Sequence, residues 1–208
     1  MPVDAGGRMR IFGVILAGGA ARRMGGRDKA LLQLAGHSLL WHVQRRLEPQ
    51  VERLALSANG DAARFGATLV VLPDDQSLGP LSGILSALDW AAALGATAVV
   101  SAPVDTPFLP PDLVPRLCLA AEGSPDGVAI AAAGGVDHPA SALWPVALRP
   151  ALRAFLASGV KPRVVDFAGL HNASRANFDG DAAFMNVNTP DDLAAAAVAL
   201  AAGMERPV

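Results

Sequence analysis

Hydrophobic and polar positions alternate in type along this chain, short apolar runs giving way to segments of helical spacing. The β-branched run from Arg10 to Ala17 ends at Gly18-Gly19 and predicts a buried strand. From Ser38 to Leu47, the residues Leu39, Leu40, Val43 and Leu47 recur at helical spacing. Runs from Arg53 to Ala58 and from Thr68 to Leu72 predict strands. A helix is expected from Pro80, suited to a first turn, to Leu94, with Gly95 at its end. The run from Thr97 to Ala102 predicts another strand.

The second half continues the alternation. Pro111 to Ala121 predicts a helix with Pro111 and Asp112 near its start. Val128 to Ala132 predicts a strand, and Ala140 to Trp144 a further one. Val146 to Leu156 predicts a helix closed by Gly159, and Arg163 to Phe167 a short strand. The last helix starts at Thr189.

Strands alternating with helices imply βαβ units and an α/β fold of three layers, α/β/α, around a mostly parallel central sheet. Ligands of such open sheets bind outside the carboxyl ends of the strands. Chemistry is therefore expected just after Ala17, Leu72 and Ala102, and all three places are glycine-rich or polar.

Composition narrows the classes. The 208 residues are 52% hydrophobic and 17% charged, enough for a core and against disorder. A net charge of -2 gives no reason to expect a nucleic-acid or anionic-membrane partner. The single cysteine, Cys118, excludes an intrachain disulfide and a cysteine-built metal site. It lies in an apolar helical stretch and reads as a small core residue. Lack of a disulfide framework suits a reducing cytoplasm. The start lacks a secretory pattern, and the apolar stretch Leu193 to Ala202 is shorter than the ~20 residues a membrane span needs. No membrane association is expected.

The loop after the first strand carries the strongest chemistry. Its glycines let backbone N–H groups approach anionic oxygens. Arg22, Arg23, Arg27 and Lys29 add positive charge, and a triphosphate needs both features. Two familiar phosphate loops do not fit. Lys29 lies between Asp28 and Ala30, unlike a P-loop lysine, and the dinucleotide glycine spacing is absent.

Asp105 follows an apolar run and lies between Pro103 and Pro107, which restrict the backbone. One carboxylate there could hold a magnesium ion, which takes one or two carboxylates plus phosphate oxygens. Asp-Thr-Pro is equally good Asx-turn chemistry, so spacing alone leaves both readings open. The four histidines, His37, His42, His138 and His171, have no metal-ligand spacing.

The segment Leu16 to Lys29 resembles the opening motif of the molybdenum cofactor guanylyltransferases, nucleotidyltransferases with a Rossmann-like fold. Asp74, Gly79-Pro80-Leu81-Ser82-Gly83, Pro103-Val104-Asp105-Thr106-Pro107-Phe108, His138-Pro139 and Asn186-Val187-Asn188-Thr189-Pro190 follow in that family's order. The resemblance covers nearly the whole chain. It implies one nucleotidyltransferase domain, nucleotide-binding over about residues 10–110 and acceptor-binding over about residues 111–200.

The resemblance implies transfer of GMP from GTP to molybdopterin, with release of pyrophosphate and Mg2+ as cofactor. Leu16, Ala17, Gly18, Gly19, Arg23 and Lys29 would bind the nucleotide, Lys29 neutralising charge on the phosphates. The aspartate matched by Asp105 holds the metal, and that matched by Asp74 contacts the nucleotide. Gly79 and Gly83 permit close approach of a ribose or base. Family members often carry an asparagine where this chain has Ser57. Asn59 lies on the same face of an extended strand, and either residue could serve the base or ribose.

On the acceptor side, Asn186 and Asn188 resemble residues that line the pterin site. Lys161 and Arg163 are the basic residues there, facing the pterin phosphate or simply solvated. Thr189, Pro190 and Asp192 read as a capped helix start. Recipient molybdoenzyme apoproteins or their chaperones are further implied partners. The alternatives are cytidylyl transfer from CTP to the same pterin, a sugar-phosphate nucleotidylyltransferase, and a nucleotide-binding adaptor without turnover.

Overall fold

The computed structural model describes residues 7, 9–18, 28–66, 68–73 and 78–204. The strands are β1 (Ile11–Leu16), β2 (Gln33–Leu34), β3 (His37–Ser38), β4 (Arg53–Ser57), β5 (Val70–Leu72), β6 (Ala98–Pro103), β7 (Ala129–Ala133), β8 (Val136–Pro145) and β9 (Ser174–Phe178). The α-helices are α1 (Leu39–Leu47), α2 (Pro80–Ala93), α3 (Leu113–Ala121), α4 (Arg149–Ala157), α5 (Val164–Leu170) and α6 (Pro190–Ala199).

A seven-stranded sheet runs in the order β5-β4-β1-β6-β8-β7-β9, and β2 pairs β3 separately. β1 pairs β4 and β6 in parallel, β4 pairs β5 in parallel, and β7 pairs β9 in parallel. Only β8 runs against its neighbours β6 and β7. The chain moves outward from β1 to β4 and β5, then returns through α2 to β6 on the other side of β1. That reversal beside β1 is where open α/β sheets form a ligand crevice.

Side chains of alternate residues on β1 face opposite layers. Ile15 joins the core beneath α1 and α3, with Leu47, Leu113 and Leu117. Phe12, Val14 and Leu16 join the core beneath α2, α4 and α5, with Ile84, Leu88, Leu152 and Phe167. The mostly parallel three-layer expectation therefore holds. On the second face, Trp144 Nε1 donates to Ser101 Oγ at 3.0 Å, which donates to the Ala140 carbonyl at 2.8 Å. This satisfies the polar groups where β8 joins β6.

A third, smaller core sits at the edge. Leu32, Leu34, Leu39, Phe108 and Val187 pack there with Ala196 and Leu200, the last lying just past the end of α6. Full burial of a Leu or Phe side chain contributes about 1.5–3 kcal/mol, so a handful holds an otherwise alanine-rich helix in place.

Several expectations need correction. The segment Arg163 to Phe167, expected as a strand, is the start of helix α5, with Arg163 as its N-cap residue. Val164, Phe167 and Ala168 are buried at i, i+3 and i+4, a helical spacing that β-branched Val164-Val165 conceals. The strand expected from Ala140 is longer, starting at Val136 in a hairpin with β7. The expected helix from Val146 opens with a 3-10 turn, Val146–Leu148, before α4. β9 was not expected, because Arg175 and Asn177 alternate with buried Ala176 and Phe178 over only 5 residues.

Cys118 packs half-buried against the first core, and burial, then Glu122, pushes its thiol up to about 11. Among the described residues, no helix is long and apolar enough to cross a membrane.

Candidate active site

Backbone hydrogen bonds stitch the carboxyl edge of the sheet together. The Val104 amide donates to the Leu16 carbonyl at 3.0 Å. The Ala17 amide donates to the Ser57 carbonyl at 2.9 Å, and the Ala58 amide to the Leu72 carbonyl at 3.1 Å. The segments following β5, β4, β1 and β6 thus leave the sheet side by side. Leu16 is buried, Ala17 half-buried and Gly18 exposed, so the chain surfaces where the crevice opens.

Lys29 opens a 3-10 turn, Lys29–Leu31, capped by Asp28, whose Oδ1 accepts the Ala30 amide at 3.0 Å. Buried Ala30 and Leu32 fix that turn. The Lys29 ammonium donates to Asp105 Oδ2 at 2.6 Å and to Asn188 Oδ1 at 2.5 Å. Side-chain exposures of 17% for Lys29 and 21% for Asp105 leave the pair half-sheltered and open to a ligand.

The turn after β6 is closed by Thr106, whose amide and hydroxyl both donate to the Pro103 carbonyl, at 3.3 and 2.8 Å. The Asp105 carboxylate is thereby spared Asx-turn duty. Its Oδ1 has no protein donor among the described residues, leaving an oxygen for a cation. Those residues hold no group of three or more acidic, His or Cys ligands. A hard cation at Asp105 would draw its other oxygens from phosphates and water, as magnesium does.

Asn188 arrives from the far end of the chain. The Val187 amide donates to the Asp105 carbonyl at 2.8 Å, and Val187 itself is fully buried. Asn186 and Asn188 flank it on the exposed face, sharing a side as their spacing predicts. Asp192 Oδ2 accepts the Asn188 and Thr189 amides at 2.9 and 2.8 Å, while its own amide donates to Thr189 Oγ1 at 3.1 Å. This is the capping box expected from the sequence. The Asn188 amide, first, and the Thr189 hydroxyl hold the Asp192 carboxyl below its ordinary range.

The other expected residues divide. Ser57 is buried, 2% exposed, beneath helix α2. A Cβ on Gly83 would lie 2.5 Å from Ser57 Oγ and 3.2 Å from Leu16 Cδ2. Gly83 thus lets α2 approach the sheet rather than admitting a ribose, a correction to its expected role. Asn59 is exposed, just past the end of β4. Gly79 caps α2 with φ 91°, a backbone that suits glycine, and its carbonyl accepts the Ser82 hydroxyl at 2.7 Å.

Lys161 and Arg163 are exposed at the start of α5; Arg163 lies 3.8 Å from Asp166, and neither joins the Lys29–Asp105–Asn188 cluster. His138 stacks on Phe184 with ring centroids 4.6 Å apart. Next to it, β8 bulges. Ile130 pairs Ala142 but Ala131 pairs His138, leaving Pro139 to Ser141 opposite no β7 residue. Gly19, Arg23 and Asp74 lie outside the described residues.

Arg64 was not expected at the site. Its Nε donates to Asp28 Oδ2 at 2.7 Å, and its terminal nitrogens donate to the Asp61 and Asn59 carbonyls, both at 2.5 Å. It ties the segment carrying Lys29 to the loop after β4. No periodicity points to it, since it lies in a polar stretch whose partners are backbone carbonyls and a distant carboxylate.

Residues 13–174 match the family described as MobA-like NTP transferase domain. A molybdenum cofactor guanylyltransferase of Cereibacter sphaeroides is 59% identical over 189 residues, covering 90% of this chain and 96% of the relative. One from Rhodobacter capsulatus is 50% identical over 192 residues, covering 90% and 95%. Among solved structures, a molybdopterin-guanine dinucleotide biosynthesis protein A of Archaeoglobus fulgidus superposes with TM-score 0.74 at 20% identity, covering 92% of this chain and 99% of that one. That likeness bears on the fold alone.

Proposed function

The chain belongs to the MobA-like NTP transferase family, and from that premise we propose that it transfers GMP from GTP to molybdopterin, releasing pyrophosphate. The observation carrying this reading is the 2.6 Å pairing of Lys29 with Asp105, at the sheet edge where the strand order reverses. A triphosphate in that crevice meets an ammonium beside a carboxylate whose second oxygen has no donor among the described residues. Relatives at 59% and 50% identity bear the guanylyltransferase name, which favours GTP over CTP.

In the reaction, an oxygen of the pterin's terminal phosphate attacks the α-phosphorus of GTP. The bond from that phosphorus to the bridging oxygen breaks, and pyrophosphate leaves with the electron pair. A phosphate monoester, with its second pKa of about 6, is already anionic near neutral pH, so no dedicated general base is needed. Catalysis then rests on alignment and charge neutralisation.

Leu16, Ala17, Gly18 and Gly19 bind the nucleotide where the chain leaves the sheet, the Ala17 amide being held by the Ser57 carbonyl, with Arg23 adding charge. Lys29 holds negative charge as the leaving group departs. Asp74, Gly79, Asn59 and Ser57 form the ribose and base side. Asn186 and Asn188 face the pterin, and Lys161 and Arg163 its phosphate. Asp105 would hold a magnesium ion, which when bound supplies further charge neutralisation at the phosphates. The nucleotide side spans about residues 10–110 and the acceptor side about residues 111–200 of one domain, acting in the cytoplasm.

The test is pyrophosphate release with Mg2+, molybdopterin and either GTP or CTP, comparing the intact chain with Asp105→Asn. Release with GTP alone, lost in the variant, is expected. Release with CTP would correct the base. GTP binding without release in either case would make the chain a nucleotide-binding adaptor. Full activity in Asp105→Asn would sink the metal assignment.

A further inference from the structure

Lys29 owes its position to partners on both sides. Asp105 holds the ammonium from β6 and Asn188 holds it from the segment before α6. Asp105 sits in a turn closed by Thr106. Asn188 is exposed and is in no strand, so its backbone needs another anchor. Val187 provides one, through its amide on the Asp105 carbonyl and its buried side chain. The second is a carboxylate: Asp192 Oδ2 receives the amides of both Asn188 and Thr189.

We propose that Asp192 is a positioning residue for the transfer reaction, fixing the backbone of Asn188, whose side-chain oxygen steadies the Lys29 ammonium against Asp105. A capping box on a surface helix needs no more than the Thr189 amide. Here the same oxygen also takes the Asn188 amide, one residue further back, and Asn188 carries the side chain that touches Lys29. The chain of contacts runs Asp192 to Asn188 to Lys29 to Asp105 without a gap longer than 2.9 Å. Helix α6, which lies beyond the family-matched residues 13–174, thereby becomes part of the donor site's support.

The proposal rests on the guanylyl-transfer reading, and its test separates the two. Pyrophosphate release from GTP and molybdopterin is measured for the intact chain, Asp192→Ala, Asn188→Ala, the double variant and Asp192→Asn. Misplacing a reacting group by ~1 Å can cost on the order of 100-fold, so Asp192→Ala should lower kcat/KM by roughly 10- to 100-fold. The double variant should be no slower than Asn188→Ala, because both changes break one chain of contacts. Asp192→Asn should recover most of the activity, since one amide oxygen can accept both N–H groups.

A cap with only a structural role gives a different pattern: losses that multiply in the double variant and track the unfolding midpoint. That pattern, or full activity in Asp192→Ala, overturns the proposal. If Asp192→Ala fails to fold, Asp192→Ser retains one acceptor for the cap and enters the same cycle. An intact chain that releases no pyrophosphate overturns the transfer reading instead.

Discussion

The Lys29 ammonium lies 2.6 Å from the Asp105 carboxylate across 76 positions of sequence. The contact joins the segment after β1 to the turn after β6, on two sides of the crevice. Neither side chain is fully buried, so the pair is arranged for a ligand more than for stability; exposed ion pairs contribute only about 0–1 kcal/mol.

Replacing Lys29 with Met should therefore leave the fold intact and reduce kcat for pyrophosphate release by roughly 100- to 1,000-fold, the usual loss when one charge-stabilising donor is removed. Lys29→Arg should recover little, because a planar guanidinium does not occupy the position of a compact ammonium. Steady-state kinetics with GTP held saturating, beside an unfolding curve, checks both statements. Activity within threefold of the intact chain would remove Lys29 from the mechanism.

Arg64→Ala should raise KM for GTP by about tenfold with little change in kcat, since the clamp between Asp28 and the Asn59 carbonyl shapes binding rather than charge development. Asp28→Asn should produce a similar change, and the pair combined should be no worse than the more severe single change. Titration of GTP against each variant measures this directly. A fall in kcat at unchanged KM would place Arg64 in the chemical step.

Gly83→Ala should destabilise the protein by about 1–3 kcal/mol, the cost of overpacking a filled interior. The added methyl would meet Ser57 Oγ at 2.5 Å, and the strand cannot retreat without disturbing Leu16. Combining it with Ser57→Gly should restore much of the loss by opening the contested space. Denaturant midpoints of the three proteins decide it, and an unaltered midpoint in Gly83→Ala would show that α2 is free to shift outward.

Asp192 gives the site an acid limit. Its carboxyl is held below the ordinary range by the Asn188 amide and the Thr189 hydroxyl, so the folded chain binds its proton less readily than the unfolded chain. The associated stabilisation is complete above an ordinary carboxyl pKa of about 4 and fades as pH falls through the lower folded value. Docking of α6 should therefore loosen in acid, visible as faster amide exchange at Asn188 and Thr189. Asp192→Asn should abolish that dependence on pH, and an identical acid profile in the variant would assign the effect to another carboxylate.

Much of the architecture was legible because burial leaves a period. The strand before Gly18, the helix from Ser38 and the helix from Pro80 all follow patterns set by the core they face. Helix α5 was misread because seven residues barely complete two turns, and two adjacent valines imitate a strand. Of the site, Lys29, Asp105 and Asn188 were legible separately, while their meeting depends on long-range packing. Ser57 was expected, with Asn59 as the other choice, to serve the base or ribose; it lies buried beneath α2 close to Gly83, a proximity that only the folded chain reveals. Arg64 acts through carbonyls, and carbonyls leave no trace in a sequence.

The small edge core has a consequence for the order in which function arises. Leu32 lies three positions after Lys29, Phe108 three after Asp105, and Val187 one before Asn188, and all three pack together with Ala196 and Leu200. Lys29 and Asn188 are 159 positions apart. At translation rates of about 5–20 residues per second, roughly 10–30 s separate their synthesis. The strands from β1 to β8 are synthesised well before Asn188, so Lys29 gains that partner only when the segment leading into the last helix docks.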